Sequence, residues 1–97
     1  MFRHVVLLTL HDTTADAEVD SLLAALRTLP DRIPMIRSYS AGRDAGVSPG
    51  NATVAAVGDF DDVDGYLAYR DHPAHIEVIE QCILPHLASR TAIQYEL

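Results

Sequence analysis

The stretch from Phe2 to Leu10 is apolar on both of its sides, and nothing else in the chain constrains the fold so strongly. Side chains of a β-strand alternate between its two faces. Phe2, His4, Val6, Leu8 and Leu10 therefore share one face, while Val5 and Leu7 share the other. Apolar residues on both faces mark a strand covered on both sides.

The elements that follow show what could cover it. A helix of roughly fifteen residues is predicted from near Thr14 to Leu29, with Val19, Leu22, Leu23, Leu26 and Leu29 on one stripe. Thr13 or Thr14 can cap it, Asp16 and Glu18 suit the positive end of its dipole, and Pro30 and Pro34 punctuate the exit. Met35 to Ala41 reads as a second strand, and Gly42 to Asn51, rich in glycine, as a loop. Ala52 to Phe60 is a third strand, with Val54 and Phe60 on one face and Val57 on the other. Asp61 or Asp62 caps a short helix with Val63, Tyr66 and Leu67 inward. A further helix runs from Pro73 to about Leu84, packs through Ile76, Ile79 and Ile83, and ends at Pro85. Thr91 to Leu97 is the last strand, with Ile93, Tyr95 and Leu97 on one face.

This order predicts an α+β fold: a split βαβ, ferredoxin-like arrangement with a four-stranded antiparallel sheet and helices on one face. The opposite face would leave Phe2, Val6, Leu8 or their neighbours in water. At ~25 cal/mol per Å², several hundred Å² of exposed apolar sheet forgoes many kcal/mol. The economical remedy is a second copy, so a homodimer is expected, its two sheets packed face to face into a barrel-like core.

Composition limits the partners. The 97 residues make one domain, residues 1–97, without internal repeats. Fourteen acidic residues against seven basic ones give a net charge of −7, which argues against nucleic acid and anionic membranes. All seven bases are arginine, so Schiff-base lysine chemistry and a phosphate-loop lysine are excluded. The apolar run Val5–Leu8 is too short for a signal peptide, and no segment reaches membrane-spanning length. With Cys82 alone, expected buried and inert, there is no intrachain disulfide, and a cytoplasmic location is expected. Asn51-Ala52-Thr53 matches the glycosylation pattern by chance.

The segment Tyr69-Arg70-Asp71-His72-Pro73-Ala74-His75 gathers the chemistry. Proline suits the first position of a helix, which places His72 at the N-cap and His75 in the first turn. The dipole and partial burial both favour a neutral imidazole at His75, able to accept a proton. The alternative is a histidine that only caps or packs. His72 caps the helix or bonds the loop, and with His75 it stands at metal-ligand spacing but without an evident third ligand; no metal is expected. Tyr69 can donate to a developing enolate or simply pack in its helix. His4, on an apolar strand face, is either a satisfied core residue or a wall of the same cavity. Tyr39 and Tyr95 read as sheet residues.

These pieces together resemble the stress-responsive A/B barrel, or Dabb, domain family. The likeness rests on His4-Val5-Val6-Leu7-Leu8, Ile33-Pro34, the Gly42 turn, and Phe60 before an acidic helix start. It is completed by Tyr69-x-x-His72-Pro73-x-His75 and the closing strand with Tyr95. The resemblance implies a ferredoxin-like subunit that dimerises through its sheet, with no cofactor. It points to a small apolar or aromatic molecule bound between sheet and helices, with His4 and His72 as binding residues. A plant branch resembles polyketide cyclases, which close a poly-β-keto chain by aldol condensation. There the residue matching His75 is the general base and the one matching Tyr69 assists. This chain has Leu26 where that branch carries a further pocket tyrosine. A third possibility implied by the fold is a cofactor-free monooxygenase.

Overall fold

The computed structural model describes residues 1–97 as a four-stranded antiparallel sheet with its helices packed on one face. In chain order the elements are β1 (Phe2–Leu10), α1 (Asp16–Arg27), α2 (Leu29–Arg32), β2 (Ser38–Arg43) and β3 (Val54–Phe60). Then come α3 (Val63–Arg70), α4 (Pro73–Val78), a π turn at Ile79–Ile83, a 3-10 turn at Leu84–His86, and β4 (Leu87–Glu96). The sheet order is β2-β3-β1-β4, so β1 is central. No helix is long and apolar enough to cross a membrane.

Register sorts the residues of the sheet into two faces. β1 pairs with β3 from Phe2↔Phe60 to Leu8↔Val54, and with β4 from Phe2↔Glu96 to Leu10↔Leu87. Phe2, His4, Val6 and Leu8 thus face the helices with Phe60, Ala56 and Val54. The uncovered face carries Arg3, Val5 and Leu7 beside Val57, Ala55, Ile93 and Tyr95. Of the two sets expected in water, Phe2, Val6 and Leu8 or their neighbours, the structure leaves exposed the neighbours on the opposite face. Leu7, Ile93 and Tyr95 are 40%, 60% and 43% exposed. The uncovered face also holds an ion pair that ties the strands together. Arg3 donates to both Asp59 oxygens at 2.7 and 2.8 Å, and Ser38 Oγ donates to Asp59 at 2.8 Å. The guanidinium holds the Asp59 carboxyl below the usual carboxylate range.

Several boundaries differ from expectation, each for a local reason. Helix α1 starts at Asp16 because Ala15 is its N-cap, its backbone N–H donating to Glu18 Oε1 at 3.1 Å. Neither Thr13 nor Thr14 caps it, and Thr14 Oγ1 is buried without a partner. Pro30 does not end the helix; after a break at Thr28 it opens the short α2, where its missing N–H costs nothing. β2 begins at Ser38, where pairing with Asp59 starts, after Met35 and Ile36 have packed against the core, and it runs through Gly42, which pairs with Ala55. β3 starts at Val54 instead of Ala52. Asp62 caps α3 by accepting from Gly65 N at 2.9 Å, and Val63 points outward while Tyr69 turns in.

The last helix departs furthest. Its buried positions are Ala74, Val78 and Ile83, a step of four and then of five residues. The step of five is the π turn, and it leaves Ile76 exposed, contrary to the regular spacing assumed from sequence. Pro85 lies inside the 3-10 turn, and β4 begins at Leu87, four residues before Thr91. Cys82 is half-buried against the core.

The core is one cluster in which Phe60, Leu22, Leu26, Leu29, Ile33, Val19 and Val54 are fully enclosed. Phe60→Ala removes the largest of these fully enclosed side chains, so urea unfolding should show a loss of ~3–5 kcal/mol with an unchanged m-value. A loss under ~1 kcal/mol would contradict this account of the core.

Candidate functional site

The helix-facing side of β1 does not meet the helices everywhere. Beneath α3, α4 and the π turn it leaves a cavity of about 230 Å³, walled mostly by apolar side chains. His4 enters from β1, Tyr39 from β2, Tyr66 and Tyr69 from α3, and His75 from α4. Three of the residues singled out from sequence, His4 from the first strand and Tyr69 and His75 from the consecutive helices α3 and α4, are thus brought to one cavity. His72 is not among its walls. Its Nδ1 accepts from Ala74 N at 3.0 Å, the cap that starts α4. No three His, Cys, Asp or Glu side chains converge in the molecule.

An aromatic cluster fixes the geometry. Tyr69, 2% exposed, lies between Phe60 at 5.1 Å and His75 at 4.2 Å between ring centroids. Tyr66 approaches His4 at 4.8 Å. Tyr69 and Tyr39 bring their hydroxyls to 3.4 Å of each other. Burial pushes the Tyr69 phenol well above its ordinary value and raises that of Tyr39, so both keep their protons and can donate.

The histidines are set as neutral bases with defined tautomers. His75 Nδ1 lies 2.9 Å from the Arg70 carbonyl oxygen, which can only accept, so Nδ1 carries the proton and Nε2 keeps its lone pair. Burial lowers its pKa, against the Arg70 carbonyl that raises it; the charge of Arg90 lowers it further. His4 Nδ1 accepts from the Gln94 amide at 2.8 Å, which puts the proton of the neutral ring on Nε2. Burial, with smaller contributions from Arg90 and His75, pushes His4 down to about 4.

The sequence reading missed Tyr39 and Arg90 as cavity residues and Gln94 as the partner of His4. Tyr39 and Gln94 had a signal: in an alternating sheet they belong on the helix side once the register is known. A larger groove of about 480 Å³ lies at β2 and β3, reaching the uncovered face at Leu7, Ser40 and Val57. Its charged residues are already engaged, Arg43 with Asp16 and Asp44 with Asn51.

Comparison with known proteins agrees with this architecture. The Stress responsive A/B Barrel Domain family matches residues 2–97. A stress-response A/B barrel domain-containing protein of Arabidopsis thaliana is 30% identical over 79 residues, covering 78% of this chain and 68% of that protein. A dimeric ferredoxin-like protein of unknown function from Thermobifida fusca superposes with a TM-score of 0.91 at 40% identity, covering 99% of this chain and 90% of that one. A hydroxynitrile lyase from Passiflora edulis shares the fold, with a TM-score of 0.85 at 19% identity over 99% of this chain and 92% of its own.

The buried histidines set a pH window. In the unfolded chain His4 takes up its proton near 6.5, and in the folded chain near about 4. Between those values the unfolded state binds more protons, so stability falls as pH falls. At ~1.4 kcal/mol per unit the loss is on the order of 2–3 kcal/mol. His75 adds in the same direction. Asp59 acts lower, its pairing being lost below the ordinary carboxylate value of about 4. The melting temperature should therefore drop by roughly 10 °C between about pH 7 and pH 4.5, and His4→Phe should flatten that slope. A wild-type melting temperature independent of pH over this range would contradict the assignment.

Proposed function

The chain belongs to the stress-responsive A/B barrel domain family, and on that premise we propose that it binds a small apolar or aromatic molecule in the cavity between sheet and helices, as a homodimer. The observation that carries the proposal is the convergence of His4, Tyr69 and His75 on one apolar space. The volume supports a single-ring occupant, since an apolar cavity of ~150 Å³ suffices for benzene. Sparse donors and acceptors among apolar walls are what orient a ligand in such a site.

The dimer is supported by the uncovered sheet face, where Val5, Leu7, Val57, Ile93 and Tyr95 lie together. A second copy packed there buries them without touching the helix-side cavity. The dimeric relative from Thermobifida fusca agrees with this.

A second reading, a cofactor-free cyclase or lyase, is favoured by the tautomer of His75. Its free Nε2 can take a proton from a carbon beside a carbonyl, and the Tyr69 hydroxyl can donate to the enolate oxygen that forms. The hydroxynitrile lyase of the same fold adds to its interest.

Titration with phenol, followed by NMR, tests the binding proposal. Ring signals of His4, Tyr69 and His75 should shift together, and Ile79→Trp, which fills the cavity, should weaken binding at least tenfold while the fold persists. Shifts confined to the uncovered sheet face, or none, would refute it. For the catalytic reading, His75→Ala should lower turnover of an activated β-keto substrate by ~10²–10⁴-fold with its binding kept. Unchanged turnover would remove His75 from the role.

A further inference from the structure

The chain carries seven arginines, and six of them are engaged. Arg3 pairs with Asp59, Arg37 with Asp61, Arg43 with Asp16 and Arg70 with Asp71. Arg27 donates to the Ala41 carbonyl at 2.8 Å, and Arg32 stands 4.0 Å from Glu77. Arg90 alone makes no hydrogen bond and no ion pair, in a chain whose acids outnumber its bases fourteen to seven.

Its position gives that freedom a direction. Arg90 lies opposite Leu8 in the β1–β4 ladder, and so on the side of the sheet that faces the helices. It lines the same cavity as His75 and Tyr69, and no carboxylate lines that cavity. Its charge reaches His4 and His75, lowering both. β4 is an edge strand, so the guanidinium stays in contact with water at the cavity's margin. The uncovered face proposed for the dimer is on the other side of the sheet. Of the other charges at the cavity, only Arg70 is cationic at all pH, and its guanidinium is held by Asp71 at 2.9 and 3.1 Å.

We propose that the occupant is a small organic acid whose ring or chain fills the apolar cavity and whose carboxylate pairs with Arg90. The inference rests on the binding reading above and narrows it from apolar molecules in general to amphipathic anions. A guanidinium presents a planar pair of donors that matches a carboxylate, and an uncommitted one pays no cost of leaving another partner. The walls supply what a carboxylate lacks: aromatic and aliphatic contact for the rest of the molecule. The neutral His75 and the protonated Tyr69 complete a site in which no like charge opposes the anion.

The test compares phenylacetate with phenylacetamide, which share a shape and differ in charge, by calorimetry at pH 7.5 with the full chain. Phenylacetate should bind at least tenfold more tightly, and the preference should shrink in high salt. Arg90→Gln should abolish the preference while binding of the amide persists, which also shows that the variant is folded. Arg90→Lys should retain part of it, and Arg37→Gln, away from the cavity, should leave it intact. Equal binding of acid and amide to the wild type, or a preference that survives Arg90→Gln, overturns the inference and leaves the cavity reading standing. Failure of both probes to bind overturns the cavity reading, and the inference with it.

Discussion

Everything in this molecule follows from a central strand that is apolar on both sides. β1 is hydrogen-bonded on both edges, so its residues can be buried only above or below the sheet. The helices take the side of Phe2, His4, Val6, Leu8 and Leu10, and the side of Val5 and Leu7 is left over. A slip of one residue in register would exchange the two sets. It would place Arg3 under the helices and His4 on the bare face, destroying the site and the Arg3–Asp59 pair together.

That partition also explains how a cavity arises in so thin a core. Packing is tight where α1 presses Val19, Leu22 and Leu26 inward. It is looser where α3 and α4 meet the sheet, because the helical path there is broken at the His72-Pro73 start and again by the π turn. Ile79 and Ile83, which open and close the π turn, both line the cavity, while Ala74 and Val78 before them are buried in the core. The aromatic rings then supply rigid walls, and backbone and amide groups, the Arg70 carbonyl and Gln94, fix which nitrogen of each histidine holds its proton. The chemistry of the site is thus set by its second layer as much as by its walls.

Much of this was legible in the sequence. Alternation gave the strands, leucine spacing gave α1, and the His72-Pro73 step gave a helix start with His72 as its cap. Position along the chain could not say which side of β1 the helices would choose, because both sides are apolar; the choice is made by where the helices return. Nor could it locate the π turn, since Ile76, Ile79 and Ile83 fit a regular helix well, and only packing against the sheet shows that the chain takes one residue more. Arg90 was invisible for a different reason. It sits in Ala88-Ser89-Arg90-Thr91, a stretch without apolar alternation that becomes strand only by pairing with β1. Its significance lies in what it lacks, a partner, and that is a property of three dimensions.

The most direct measurement is the mass of the wild-type protein in solution, by sedimentation equilibrium from high to low micromolar concentration. The account requires two chains per particle across that range, since Leu7, Ile93 and Tyr95 have no other cover in the fold. A particle with the mass of one chain throughout, with that face content in water, would contradict it.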